Sequence, residues 1–141
     1  MNASVSILRP AAANPATRPP LTDALRATVG AKAAAALALL REAVAEFGTH
    51  GELAFANSFG AEDMVLTDLI LSNALPITVF SLDTGRLPAE TYSLIGEVEQ
   101  RYGKKLEIYF PDAGAVETFV RSHGINAFYD SVELRKACCG V

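Results

Sequence analysis

The sequence predicts an α/β fold: a parallel sheet alternating with helices, organised as part of a doubly wound domain. Three observations lead there. Short apolar or β-branched runs occur at Glu52–Asn57, Ile77–Phe80 and Leu106–Phe110, the size and composition of buried strands. Stretches with helical apolar spacing lie between them, long enough to carry a parallel crossover. The first two runs each end in a polar, glycine-bearing turn that opens the next helix.

The elements follow in order. Residues 1–20 are rich in Ala, Pro and Asn and carry no apolar period, so a disordered arm is expected there. A domain is expected over residues 21–141. Leu21–Gly30 reads as a short helix with Thr22 as its cap. Ala31–Phe47 reads as a stronger helix, with Leu37, Leu40, Val44 and Phe47 in one stripe and Gly48 beyond its end. His50 falls in the next turn and reads as a solvated loop residue. After the first strand, Ala61–Leu71 has Val65 over Leu69 and Leu66 over Ile70, a helical pattern ending near Asn73-Ala74. Pro76 leads into the second strand. Pro88–Tyr102 is a third helix, with Pro88 in its first turn, Tyr92, Ile95 and Val98 inward, and Gly103 as its stop. The third strand closes at Pro111-Asp112. Gly114–Ser122 is a helix with Val116, Phe119 and Val120 inward, and His123 suits the negative end of its dipole. Phe128 and Tyr129 read as packing residues in a short irregular or helical piece. Ser131 caps a last helix over Val132–Cys139.

Composition bounds the function. The chain has 141 residues, half of them hydrophobic, which suffices for one domain with a core. The net charge is −4 and there is no basic block, which argues against a dedicated nucleic-acid binder. No apolar run is long enough to span a bilayer, and no secretory signal is visible at the start. The two cysteines, Cys138 and Cys139, are adjacent, a geometry that strains a mutual disulfide. A reducing cytosolic compartment is expected.

Two turns carry the candidate chemistry. A strand feeding Asn57-Ser58-Phe59-Gly60 into a helix leaves backbone N–H groups unpaired at the helix start, where the dipole favours an anion. Ser58 adds a hydroxyl, and Gly60 admits a close backbone approach. Glu62 and Asp63 suit a helix N-terminus but repel phosphate if they face it. The second turn is Leu82-Asp83-Thr84-Gly85-Arg86, which offers a carboxylate, a hydroxyl, an accessible backbone and a guanidinium fork. Either turn read alone is equally an ordinary strand–helix joint, and Asp83-Thr84-Gly85 is equally a β-turn leading to a cap. Both turns at one end of adjacent parallel strands make a pocket.

Four stretches together resemble the sulfonucleotide reductases, the adenylyl-sulfate and phosphoadenylyl-sulfate reductases of assimilatory sulfate reduction. They are Ser58 to Leu66, Leu82 to Tyr92 (Leu-Asp-Thr-Gly-Arg-Leu-Pro-Ala-Glu-Thr-Tyr), Tyr109-Phe110-Pro111-Asp112, and Lys136-Ala137-Cys138-Cys139. The resemblance runs from about Glu52 to the end, in matching order and spacing. It implies an adenine-nucleotide α-hydrolase-like fold, a parallel sheet with helices on both faces. It places Ser58, Phe59, Gly60 and Ala61 in a modified phosphate loop. Leu82, Asp83, Thr84 and Gly85 would line the nucleotide pocket, with backbone atoms of Leu82 reading adenine. The Cys138-Cys139 pair marks the subclass in which such a pair and a later Cys-x-x-Cys hold a [4Fe–4S] cluster, and it tilts the substrate toward adenylyl sulfate. Two buried thiols packed as small hydrophobes are the bland alternative for that pair.

The resemblance also implies a reaction. A cysteine thiolate attacks the sulfur of the sulfonucleotide, giving an S-sulfocysteine and AMP, and thioredoxin or a similar thiol then releases sulfite. Neither that cysteine, nor the Cys-x-x-Cys, nor the basic residues that usually follow the pair, occur in this sequence. The expectation is therefore an N-terminal piece of the enzyme with its C-terminal part missing, inactive alone. Its open sheet edge would pair with another chain, as in a homo-oligomer. A non-catalytic adenine-nucleotide-binding module is the alternative. An ATP-pyrophosphatase relative is a third reading, and Phe59 argues against it, because it stands where those proteins carry a glycine.

Overall fold

The computed structural model describes residues 21–48 and 53–140. The expected arm over 1–20, the turn holding His50, the first strand residue Glu52 and the terminal Val141 lie outside the described residues. The elements are α1 (Asp23–Phe47), β1 (Leu53–Ala56), α2 (Ala61–Ser72), β2 (Ile77–Leu82), α3 (Ala89–Tyr102), β3 (Glu107–Tyr109), α4 (Ala113–His123), a 3-10 turn (Ala127–Tyr129) and α5 (Val132–Cys139). The strands form one parallel sheet in the order β1-β2-β3, flanked by helices, as the sequence predicts.

Register sets the two faces. Phe55 pairs with Val79, and Ser81 with Ile108. Phe55, Asn57, Val79 and Ser81 therefore share one face, since side chains alternate along each strand. Helix α2 packs there, with Ile70 and Thr67 fully buried. Helix α3 lies beside α2: Tyr102 donates its hydroxyl proton to Asp68 at 2.5 Å, and Met64 faces Leu94 and Val98. The opposite face carries Ala54, Ala56, Thr78, Phe80, Leu82 and Tyr109, with the Tyr109 ring edge-on to Phe80 at 5.7 Å. A separate cluster of Phe119, Ala127 and Cys138, joined by Val120, Phe128 and Leu134, binds α4, the 3-10 turn and α5 together.

Several details differ from the sequence reading. The two expected N-terminal helices are one helix of 25 residues, running straight through Gly30. Alanine-rich flanks supply enough propensity to carry a single glycine, which costs only about 1 kcal/mol. Thr22 does cap it, accepting from the Leu25 N–H at 3.2 Å. Phe47 is exposed, and Gly48 is right-handed (φ −62°). In α2, Val65 points outward while the polar Thr67 is buried. Its hydroxyl donates to Asp63 O and accepts from the Asn57 amide, both at 2.8 Å, so nothing polar is left unpaired. In α3 the ring of Tyr92 is largely exposed, and Leu94, Ile95 and Val98 face inward. Gly103 ends that helix in the left-handed conformation (φ 62°), as expected. Ser131 caps α5 through the Leu134 N–H at 3.1 Å.

Thr67→Val keeps the shape of the side chain but strands the buried Asn57 Nδ2. We expect a loss of about 1–3 kcal/mol in urea unfolding, the cost of one unsatisfied buried donor. A midpoint equal to wild type counts against the Asn57–Thr67 bond as a support of the fold.

Candidate functional site

Both polar turns stand at the C-terminal edge of the sheet. The first is built from Asn57, whose N–H donates to Phe80 O at 2.7 Å and extends the β1–β2 ladder by one residue. Asn57 is buried, and its Oδ1 accepts the Phe59 N–H at 2.6 Å while its Nδ2 holds Thr67. This clamp turns the chain at Phe59, which sits at φ 63° with its ring buried. The left-handed position thus falls on Phe59, whereas Gly60 has an ordinary φ of −66°. That conformation costs a non-glycine residue about 1–2 kcal/mol, which the Asn57 bond and ring burial offset. At Gly60 the constraint is proximity: a Cβ would lie 3.3 Å from Ser58 Oγ.

Asp63 answers the question of where the acidic residues face. Its Oδ2 accepts from the Ser58 N–H at 2.7 Å and from the Ser58 hydroxyl at 2.6 Å. The Gly60 N–H donates to Ser58 Oγ at 3.2 Å. The carboxylate is folded back along the turn as a capping group, and the Ser58 bonds hold its pKa below the ordinary aspartate value. Met64 N–H makes the first helical bond, to Gly60 O at 3.0 Å, so the N–H groups of Ala61, Glu62 and Asp63 precede the ladder at the helix mouth.

The second turn is organised from inside. Asp83 is buried, and its Oδ1 accepts both the Gly85 N–H at 2.7 Å and the Tyr92 hydroxyl at 2.9 Å. The Asp83 N–H donates to Tyr109 O at 2.9 Å, extending β2 alongside β3. The hydrogen bond to Asp83 raises the Tyr92 pKa. Gly85 takes φ 73°, which only glycine adopts freely. Leu82 is 62% exposed at the rim. Arg86, expected as an anion fork, donates instead to Ile125 O at 2.8 Å and lies over the Phe128 ring at 4.5 Å.

The turns border two hollows. A cleft of about 290 Å³ is lined by Ala56, Asn57, Ser58, Phe80, Ser81, Leu82 and Leu87. A smaller one of about 180 Å³ lies between Leu82, Asp83 and Thr84 on one side and Cys139 and Gly140 on the other, floored by Tyr109, Phe110 and Pro111. The geometry brings Ser58 and Leu82 to one cleft and Asp83 and Thr84 to its neighbour; Phe59 points away, into the core. The thiols diverge: Cys138 is buried in the Phe119 cluster and Cys139 is exposed. A [4Fe–4S] cluster takes four thiolates. The donor chemistry of the pair suits it, but among the described residues no group of three or more His, Cys, Asp or Glu could hold a metal ion. No helix among the described residues is long and apolar enough to cross a membrane.

Residues 52–141 match the phosphoadenosine phosphosulfate reductase domain. The chain belongs to this family. Both turns, the Tyr109–Asp112 stretch and the Cys138-Cys139 pair fall within the matched domain. Among similar curated proteins, an adenosine 5'-phosphosulfate reductase of Burkholderia cepacia is 53% identical over 92 residues, 65% of this chain and 37% of that protein. One from Allochromatium vinosum is 47% identical over 114 residues, 81% of this chain and 43% of that protein. A probable chloroplastic 5'-adenylylsulfate reductase of Oryza sativa is 42% identical over 106 residues, 75% of this chain and 21% of that protein. The chain thus spans about two fifths of the bacterial relatives it matches.

Three residues to which the sequence reading gave no site role shape these turns. Asn57 and Thr67 fix the first turn and Tyr92 fixes the second. A polar residue closing an apolar strand was the available signal for Asn57, since a buried amide needs partners. Tyr92 gave no signal, because its hydroxyl reaches Asp83 only after α3 folds back.

The Asp63 bonds carry a pH dependence of definite sign. Its folded pKa lies below the unfolded one, so their contribution is full above the ordinary aspartate range and is lost as pH falls below 3.8. In a carboxyl NMR titration, Asp63 should titrate below that value in wild type and return toward it in Ser58→Ala. An unchanged midpoint in the variant would rule out Ser58 as the cause.

Proposed function

We propose that this chain forms the nucleotide-binding part of an enzyme that reduces adenylyl sulfate, or phosphoadenylyl sulfate, to sulfite and AMP, or adenosine bisphosphate. The observation that carries the reading is the pair of polar turns at one sheet edge, bordering one cleft between Ser58 and Leu82. The mouth of α2 takes the phosphate end of the ligand by the backbone N–H groups of Ala61, Glu62 and Asp63 and the helix dipole, while Ser58, Phe59 and Gly60, whose own N–H groups are bonded within the turn, shape that mouth. The adenosine lies in the apolar cleft, where the exposed backbone of Leu82 reads the base. Asp83, Thr84 and Gly85 give that rim its shape, Asp83 acting from beneath through the Gly85 N–H.

The chemistry needs thiols. A thiolate attacks the sulfo sulfur, the S–O bond to the nucleotide breaks, and AMP leaves with that electron pair. A second thiol then attacks the resulting S-sulfocysteine at its Sγ, a disulfide forms, and sulfite departs with two electrons. Thioredoxin or a similar dithiol is the donor in this reading, and the setting is the reducing cytoplasm. The attacking cysteine is neither Cys138 nor Cys139. Those two supply two of the four thiolates of a [4Fe–4S] cluster, the remainder coming from outside these 141 residues. The pair, with relatives named for adenosine 5'-phosphosulfate, favours adenylyl sulfate as substrate. A non-catalytic nucleotide-binding module is the second reading, which the cleft alone supports.

Isothermal calorimetry with AMP tests the site. We expect one AMP per chain in wild type, and at least a tenfold loss of affinity, about 1.4 kcal/mol, in Ala56→Phe, which fills the cleft from its exposed wall. No heat with wild-type chain, or full affinity in the variant, refutes the assigned cleft. Iron counting after anaerobic reconstitution separates the two readings when it is done on a longer protein that supplies the remaining thiolates, where the reductase retains iron and a module retains none.

A further inference from the structure

The geometry points to Arg86 as a positioning residue that ties the second turn to the thiol-bearing helix α5 and so couples occupancy of the nucleotide cleft to the exposure of Cys138. Arg86 directly follows Gly85. Its guanidinium reaches across 39 positions of sequence to Ile125 O at 2.8 Å and lies 4.5 Å over the ring of Phe128. Phe128 packs on the cluster that buries Cys138. From α5, Arg135 Nε donates to Phe128 O at 3.3 Å, closing the link. One side chain thus spans from the turn to the core of the α4–α5 unit.

The need for such a strut is visible beside it. The turn and α5 are separated by the hollow between Thr84 and Cys139, so apolar packing does not hold them together at that point. A charge-assisted bond to a carbonyl and a cation–π contact do so instead. Arginine can make both at once because its guanidinium is planar and forked; lysine cannot. The two thiols it bears on are unequal: Cys138 is 9% exposed, within the Phe119 cluster, whereas Cys139 is open to solvent. Motion of the turn reaches Cys138 through Phe128.

Iodoacetamide alkylation of the reduced 141-residue chain, followed by mass spectrometry of each cysteine, tests the strut. In wild type, Cys139 should react first and Cys138 slowly. In Arg86→Ala, the Cys138 rate should rise by about tenfold or more, because local opening loses both contacts. Arg86→Lys should fall between the two, and Phe128→Leu, which keeps the Ile125 bond, should give a smaller rise. Circular dichroism checks that each variant retains its helices. Should Arg86→Ala fail to fold, the two milder variants decide, and wild-type Cys138 rates in both overturn the strut.

The coupling half rests on the nucleotide-binding reading above. AMP should slow Cys138 alkylation in wild type and fail to slow it in an Arg86→Ala chain that still binds AMP by calorimetry. Equal slowing in both overturns the coupling. If wild-type chain binds no AMP, the nucleotide reading falls, while the comparison without AMP still decides the strut.

Discussion

The parallel pairing of β1 with β2 is the constraint on which the site depends. The register places Ala56 beside Phe80, and the Asn57 N–H adds one further bond to Phe80 O. Because the strands run the same way, both chains leave the sheet at one edge. A slip of one residue would turn Phe55 and Val79 out of the core and rotate both turns with them. The buried stripe under α2 therefore fixes the geometry of a cleft that its own Asn57 and Ser81 help to line.

At that edge the polar side chains mostly bind the protein itself. Asn57, Asp63 and Asp83 each accept from a backbone N–H two to five positions away, and Tyr92 and Thr67 brace them from the helices. Satisfied buried groups are stiff, because moving one strands its partner. What such a scaffold offers a ligand is backbone and shape: the mouth of α2, the exposed rim at Leu82, and the left-handed Gly85. In the proposed reading, this is what would let a chain with net charge −4 take an anion without a basic surface.

Beyond β3 the chain builds a second small core, and the join between the two cores is sparse. The Phe119 cluster holds α4, the 3-10 turn and α5 to each other, while a hollow separates α5 from the turn after β2. Long polar contacts such as that of Arg86 bridge where packing is thin. The matched family is a reductase domain, and the bacterial relatives are more than twice the length that aligns.

The strands themselves, the glycine turns and the caps at Thr22, Gly103 and Ser131 were legible in the sequence because each is local. Periodicity, a φ that glycine tolerates, or a side chain three residues from an N–H decides them. The four motif stretches likewise carry the resemblance to the family that the domain match shows. Other features depended on groups distant in sequence. Nothing near Phe59 marks it as the left-handed residue; the buried Asn57 amide, held by Thr67, makes it so. Val65 and Thr67 exchange their expected places because a hydroxyl with two partners is cheaper to bury than its composition suggests. Arg86 reads as an anion fork until Ile125 O arrives beside it. The sequence alone determined which segments form strands and turns, since that is short-range steric and hydrophobic patterning. Only the tertiary structure decided which polar atoms face a ligand and which face the protein, since a hydrogen-bonding group is committed by whatever partner folding brings within reach.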